Sequence, residues 1–272
     1  MKIGISSWSC PWAIGVPGYP APEHPLDAIG LLKLAYEVGA EVLQIADNLP
    51  LHALEATELA ALAERAKGFG IALEVGTRGL DPENLLRYLD ISQIMGARLV
   101  RTLPHDGGDR PDLTGALRRL NAVKGRFEAA GVRLAIENHD FYPCAWLREL
   151  VENACSPAVG VCLDAVNNLG QGESFRETLA CLGPYTVNFH CKDYTIARKL
   201  TMLGFDVSGA PAGAGMLDLD AALRTLPDGI SWVIESWLPW QGDILHTVET
   251  ERLWLETGIE NLRVFRHKQF NW

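Results

Sequence analysis

The sequence predicts a (β/α)8 barrel, built as a single domain over residues 1–272, and three observations point to it. Short apolar runs alternate with helix-like periodic stretches along the whole chain, the pattern of parallel strands joined by crossover helices. Gly39, Gly70, Gly96 and Gly131 each close a helical stretch directly before such a run, where a left-handed helix cap favours glycine. Four later runs end on ionisable residues, at the position where parallel barrels gather their active sites.

The strands are read as KIGISSW from Lys2, VLQIAD from Val42, IALEVGT from Ile71, RLVRTL from Arg98, VRLAIE from Val132, VGVCLD from Val159, TVNFHC from Thr186 and ISWVIE from Ile230. Most are nearly continuous apolar runs, as expected of a parallel sheet covered outside and filled within. Helices are expected over 27–38, 54–67, 82–95, 113–130, 145–154, 174–182, 217–226 and 245–265; Ile29, Leu32, Ala35 and Tyr36 form one apolar face in the first. The right-handed crossover rule then leaves few topologies. A doubly wound open sheet is the rival, but the GxGxxG fingerprint after the first strand is missing.

Composition narrows the function. The 48% hydrophobic fraction belongs to an ordinary globular chain, and no apolar stretch is long enough to span a membrane. The start MKIGISSWSC enters a strand without a signal-peptide pattern, so a cytoplasmic location is expected. A net charge of −10 argues against a nucleic-acid partner, because phosphate backbones are bound by neutralising them. Six cysteines without a CxxC pair read as reduced core thiols.

Two connections are long enough to shape a pocket, 9–24 after the first strand and 194–215 after the seventh. The second ends SGAPAGAG, which is either a flexible loop or a glycine cradle for a phosphate.

The chemistry centres on LAIENHD, residues 134–140, a buried strand that runs into Glu137. The next strands end at Asp164, at His190 with Lys192 and Asp193 just beyond, and at Glu235. One polar strand end is most often a cap. Four ionisable residues at successive ends are hard to explain that way, because buried charges are costly unless paired or metal-bound. Two glutamates, an aspartate and a histidine facing one mouth make a site for one divalent ion; Mg, Mn, Co, Fe and Zn all suit such ligands.

The IENH, CLD, FHCKD and VIES stretches resemble the xylose isomerase-like barrels, a sugar isomerase and epimerase superfamily that also holds inosose and dehydroshikimate dehydratases. The resemblance covers essentially the whole chain. It implies that Glu137, Asp164, His190 and Glu235 bind one metal, often Mn, and that Glu137 and Glu235 form the acid/base pair. It also implies substrate contacts for His139, in the ENH pattern, for Lys192, in HCKD, and for Arg101, which matches an arginine of the dehydratase branch. The plainer reading of Arg101 is an inward-facing arginine paired with a local carboxylate such as Glu74. Asn167 stands where many members carry a substrate-touching histidine, and Ile196 replaces an epimerase arginine. Both departures weaken the ketose epimerase assignment.

Trp8, Trp12, Trp237 and Trp240 fall in the first and last loops, where indoles stack on a sugar ring or anchor the loops. Asp47 and Gln44, near the second strand end, are candidates for binding hydroxyls. The sequence therefore predicts a metal-dependent isomerase or epimerase of a small polyhydroxy carbonyl compound, a carbohydrate or cyclitol, working through an enediolate. A dehydratase or lyase and a non-catalytic sugar-binding barrel are the alternatives, with a homo-oligomer possible. A nuclease on the same barrel is disfavoured by the negative charge.

Overall fold

The computed structural model describes residues 1–269, so the last three positions of the expected domain lie outside the described residues. The strands are β1 (Lys2–Ser6), β2 (Val42–Ile45), β3 (Ala72–Arg78), β4 (Leu99–Leu103), β5 (Arg133–Glu137), β6 (Val159–Asp164), β7 (Thr186–Cys191), β8 (Asp193–Arg198), β9 (Phe205–Ala210) and β10 (Ser231–Ile234). All except β8 and β9 close into one parallel barrel in the order β1-β10-β7-β6-β5-β4-β3-β2. Every apolar run read from the sequence supplies one barrel strand.

Around the barrel lie α1 (Pro11–Ile14), α2 (Ala28–Glu37), α3 (Ala56–Phe69), α4 (Pro82–Ile94), α5 (Leu113–Ala130), α6 (Cys144–Ala154), α7 (Phe175–Leu182), α8 (Leu219–Thr225) and α9 (Ile244–Gln269). Their starts are capped as the sequence dictates: Asp27, Asp81, Asp112 and Asp218 accept N–H bonds from Gly30, Asn84, Gly115 and Ala221 at 2.7–2.9 Å. Gly39, Gly70, Gly96 and Gly131 take φ of 63° to 73°, the left-handed conformation expected of them. The main core fills the space between barrel and helices; a small second cluster of Leu99, Ala135 and Cys162, joined by Val187, lies apart from it. Among the described residues no helix is long and apolar enough to cross a membrane.

The connection after β7 is not the open loop expected. Tyr194, Thr195 and Ile196 pair with Gly209, Ser208 and Val207 in the antiparallel β8–β9 hairpin, in a stretch rich in β-branched and aromatic residues. Nor do its glycines cradle a phosphate. The N–H groups of Gly213 and Gly215 both donate to Asp193 Oδ2 at 2.9 Å, and Leu217 N–H donates to Oδ1 at 2.9 Å. An internal carboxylate already fills the nest. A Cβ at position 215 would lie 2.3 Å from Asp193 Oδ1, so only glycine lets the chain wrap this closely.

The first connection is tied to the last helix through Glu251 on α9, whose two oxygens accept the N–H groups of Trp12 and Ala13 at 2.9 Å each. Trp12 also donates its indole N–H to Leu238 O at 2.8 Å and packs with Tyr19 and Trp240. Trp12 and Trp240 are therefore loop anchors. Burial pushes the Glu251 carboxyl up to about 8, against the pull of its two N–H donors. The unfolded chain loses this proton near pH 4.3, so the folded state holds an extra proton from roughly pH 4.3 to pH 8, and stability falls as pH rises through that window. Denaturant titrations at about pH 5 and pH 8 are expected to show the decline, with much of it removed in Glu251→Gln. Equal pH dependence in the two proteins would contradict the assignment.

Candidate metal centre

Alternate residues of each strand point into the barrel, so a strand end that turns one carboxylate inward fixes its neighbour in register. Asp164 pairs with His190 across β6 and β7, and Glu137 with Cys162 across β5 and β6. Glu235 follows the last residue of β10 directly. All four predicted ligands are buried at one end of the barrel.

His190 is their meeting point. Its Nδ1 lies 3.3 Å from Glu235 Oε1, 3.4 Å from Glu137 Oε2 and 4.0 Å from Asp164 Oδ2, with no hydrogen-bond partner. Its Nε2 lies 2.8 Å from Gln44 Oε1, an atom that only accepts, so Nε2 carries a proton; burial opposes a second proton on the ring, but Glu235 and Glu137 beside Nδ1 favour it, and a cation bound at Nδ1 would take its place. Atoms that each bind one ion at about 2.0–2.2 Å lie roughly 3–3.5 Å apart when adjacent, the spacing of Glu235 and Glu137 around Nδ1, with Asp164 further off at 4.0 Å. Three carboxylates gathered on one buried ring nitrogen fit a divalent ion. Cys162 also lies near His190 and Glu137, but its thiol donates to Asn188 Oδ1 at 3.0 Å, and burial pushes it well above the ordinary thiol range. It is a core thiol.

Two cations moderate the charge. Lys192 Nζ lies 2.8 Å from Asp164 Oδ2 and 3.0 Å from Glu235 Oε2, and although burial alone would lower its affinity for the proton, these carboxylates raise it. Arg101 bonds Glu137 through Nε, and its Nη1 reaches Asp47 Oδ1 at 2.8 Å and Thr77 O at 3.2 Å. Glu74, the partner weighed for Arg101 from the sequence, instead bonds Ser231, Gln44 and Asn188. Burial favours a neutral Glu137, but Arg101 and then His190 outweigh it and hold this carboxyl well below the usual range. Asp47 shares Arg101 with Glu137 and also meets Arg78 Nε at 3.4 Å, so the three predicted ligand carboxylates, against Lys192 and a shared Arg101, keep an excess of negative charge that a bound cation would offset.

The other predicted residues take varied places. Asn167 donates to Glu137 Oε1 at 2.9 Å and its N–H to Asp164 Oδ1 at 2.9 Å, so it holds two ligands in place. Trp8 bonds Asp47 Oδ1 at 3.2 Å, and the Trp237 ring lies 5.4 Å from Lys192 Nζ, which puts both indoles beside the centre. His139 lies beyond the end of β5, with Nδ1 3.3 Å from His105 Nε2 and 3.1 Å from Asp140 Oδ1. It joins a cluster with His105 and Phe141.

Sequence reasoning missed Ser6, whose hydroxyl donates to Glu235 Oε1 at 3.0 Å, Asn138, whose Oδ1 accepts the Asp164 N–H at 2.7 Å, and His105. Each stands at or just past a strand end, which was the available signal. Burial, then the facing His139, holds His105 down to about 4. Its imidazole is thus neutral near pH 7 and charges only in acid; any stability tied to this shift is lost as pH falls from roughly 6.5 towards 4. Proton NMR of the His105 ring is expected to show a midpoint near pH 4, and a midpoint above about 6 would contradict this environment.

A sequence profile of the Xylose isomerase-like TIM barrel matches residues 32–263. The chain is 33% identical over 265 residues to a 3-oxo-isoapionate decarboxylase of Pectobacterium atrosepticum, covering 96% of this chain and 95% of that one. Among solved structures, D-psicose 3-epimerase from Clostridium cellulolyticum superposes with a TM-score of 0.69 at 18% identity, over 98% of this chain and 99% of the other. A Xylose isomerase-like TIM barrel protein from Mycobacterium smegmatis in complex with magnesium superposes with a TM-score of 0.67 at 16% identity, over 96% and 97%. These two structural likenesses show the shared fold. On the profile match and the near full-length relative, the chain belongs to the xylose isomerase-like TIM barrel family.

Proposed function

We propose that the protein is a divalent-metal-dependent decarboxylase acting on a short, polyhydroxylated 3-oxo acid. The reading departs from the isomerase or epimerase favoured by the sequence, and one observation carries it: Arg101 pins Glu137 as an anion. A carboxylate held well below its usual range is a weak base, and a two-glutamate isomerisation needs Glu137 to take a proton from carbon. Loss of carbon dioxide from a 3-oxo acid needs no base. It needs a positive environment for the ketone oxygen and a proton for the carbon left behind. The decarboxylase relative supports the same choice.

Glu137, Asp164, Glu235 and His190 Nδ1 would hold the ion, which supplies a Lewis acid for the ketone oxygen. The bond between the carboxylate and the adjacent carbon breaks, its electron pair moves to give an enolate, and carbon dioxide leaves. The carbon then takes a proton. Glu235 Oε2, 3.0 Å from Lys192 Nζ, would pass it, the proton coming in the end from solvent. A pocket of about 400 Å³ adjoins the centre through Asp47 and is lined by His52, Arg78, Asn84, Tyr88 and Asp106 among others. Its carboxylates and amide suit substrate hydroxyls, and Arg78, which lies 3.4 Å from Asp47 and 3.8 Å from Asp106, is the cation at its wall.

The test is turnover of a hydroxylated 3-oxo acid in heavy water by protein loaded in turn with Mg, Mn, Co, Fe and Zn. Carbon dioxide release above the spontaneous rate, with one deuterium on the product carbon, is expected, and Glu235→Gln is expected to lower kcat by about 10²–10⁴. Epimer or isomer formed from a keto sugar without carbon dioxide would instead establish isomerase chemistry. A conjugated, ultraviolet-absorbing product would establish dehydration, and tight sugar binding without turnover would leave a binding protein.

A further inference from the structure

Glu74 is a buried carboxylate on an inward position of β3 with no ion pair among the described residues. Burying such a group costs free energy unless its oxygens are hydrogen-bonded, and here both are. Oε1 accepts from Ser231 at 2.5 Å; Oε2 accepts from Gln44 Nε2 at 3.0 Å and from Asn188 Nδ2 at 3.2 Å.

These bonds leave no choice of amide orientation. Asn188 spends its N–H groups on Ser231 Oγ at 2.7 Å and on Glu74, so its Oδ1 must accept. Gln44 spends one N–H on Glu74 and the other on that Oδ1, at 3.1 Å. Turning the Gln44 amide over would set its oxygen against a carboxylate and an amide oxygen. The Gln44 carbonyl is therefore forced towards His190 Nε2.

We infer that Gln44, itself oriented by Glu74 and Asn188, is a positioning residue for the metal centre, fixing His190 with Nε2 protonated and Nδ1 facing the three carboxylates. In the other tautomer an N–H would point where the ion is held, and Nε2 would meet the Gln44 oxygen lone pair to lone pair. Burial pushes the Glu74 carboxyl upward, but the device is unaffected, since Oε2 accepts whether or not Oε1 carries a proton. The inference rests on the metal centre of the proposed function, and it assigns a purpose to a buried glutamate that touches no ligand residue.

The experiment is Mn²⁺ binding by calorimetry to wild type, Gln44→Met, Glu74→Gln and Glu74→Met, each checked for a folded barrel by circular dichroism. Loss of the acceptor in Gln44→Met is expected to weaken Mn²⁺ binding by about 10–100-fold, the usual cost of removing a partner of a metal-bound histidine. Glu74→Gln keeps an oxygen for Gln44 and is expected to stay near wild type, whereas Glu74→Met is expected to weaken binding as Gln44→Met does. Should Gln44→Met fail to fold, the Glu74 pair makes the same comparison. A ¹⁵N-histidine spectrum of the Zn-loaded wild type is expected to show Nε2 protonated and Nδ1 free of a proton. A folded Gln44→Met that binds Mn²⁺ as tightly as wild type, or a wild-type spectrum with the proton on Nδ1, would overturn the inference while leaving the metal centre standing. Wild type that binds no Mn²⁺ or Zn²⁺ would overturn both.

Discussion

The organising constraint is the confinement of Glu137, Asp164 and Glu235 around one histidine nitrogen inside a closed barrel. Like charges this close in a low-dielectric interior repel by several kcal/mol, so the arrangement requires cations. The chain supplies two. Lys192 bridges Asp164 and Glu235, and Arg101 bridges Glu137 and Asp47. The negative charge left over favours a bound cation, and the spacing of Glu137 and Glu235 around Nδ1 suits one.

The same constraint divides the work between the two glutamates. Arg101 and Asn167 engage both oxygens of Glu137, while Glu235 meets Ser6 and His190 through Oε1 and Lys192 through Oε2. A site so divided suits a reaction with one proton delivery better than a symmetric exchange between two bases.

Much of this was legible in the sequence because barrel strands announce themselves twice, as apolar runs and as glycine-capped helix ends. The clustering of Glu137, Asp164, His190 and Glu235 was legible because each interrupts or follows an apolar run at its C-terminal end. Three things were not. The β8–β9 hairpin was read as part of a long loop because that connection ends in SGAPAGAG, although Tyr194 to Ile196 and Val207 carry strand character. The partner of Arg101 depends on which of several carboxylates shares its layer, and sequence spacing places Glu74 and Glu137 equally well. The inward polar layer of Gln44, Glu74, Asn188 and Ser231 is spread over four strands, one residue to each, so no local pattern reveals it.

The central claim is that one ion sits among these four side chains, and diffraction at the Mn absorption edge from crystals grown with Mn²⁺ tests it most directly. The account predicts one anomalous peak about 2.0–2.2 Å from His190 Nδ1 and from an oxygen of each of Glu137, Asp164 and Glu235. A barrel with no peak at that point, and Lys192 still bridging Asp164 and Glu235, would contradict it.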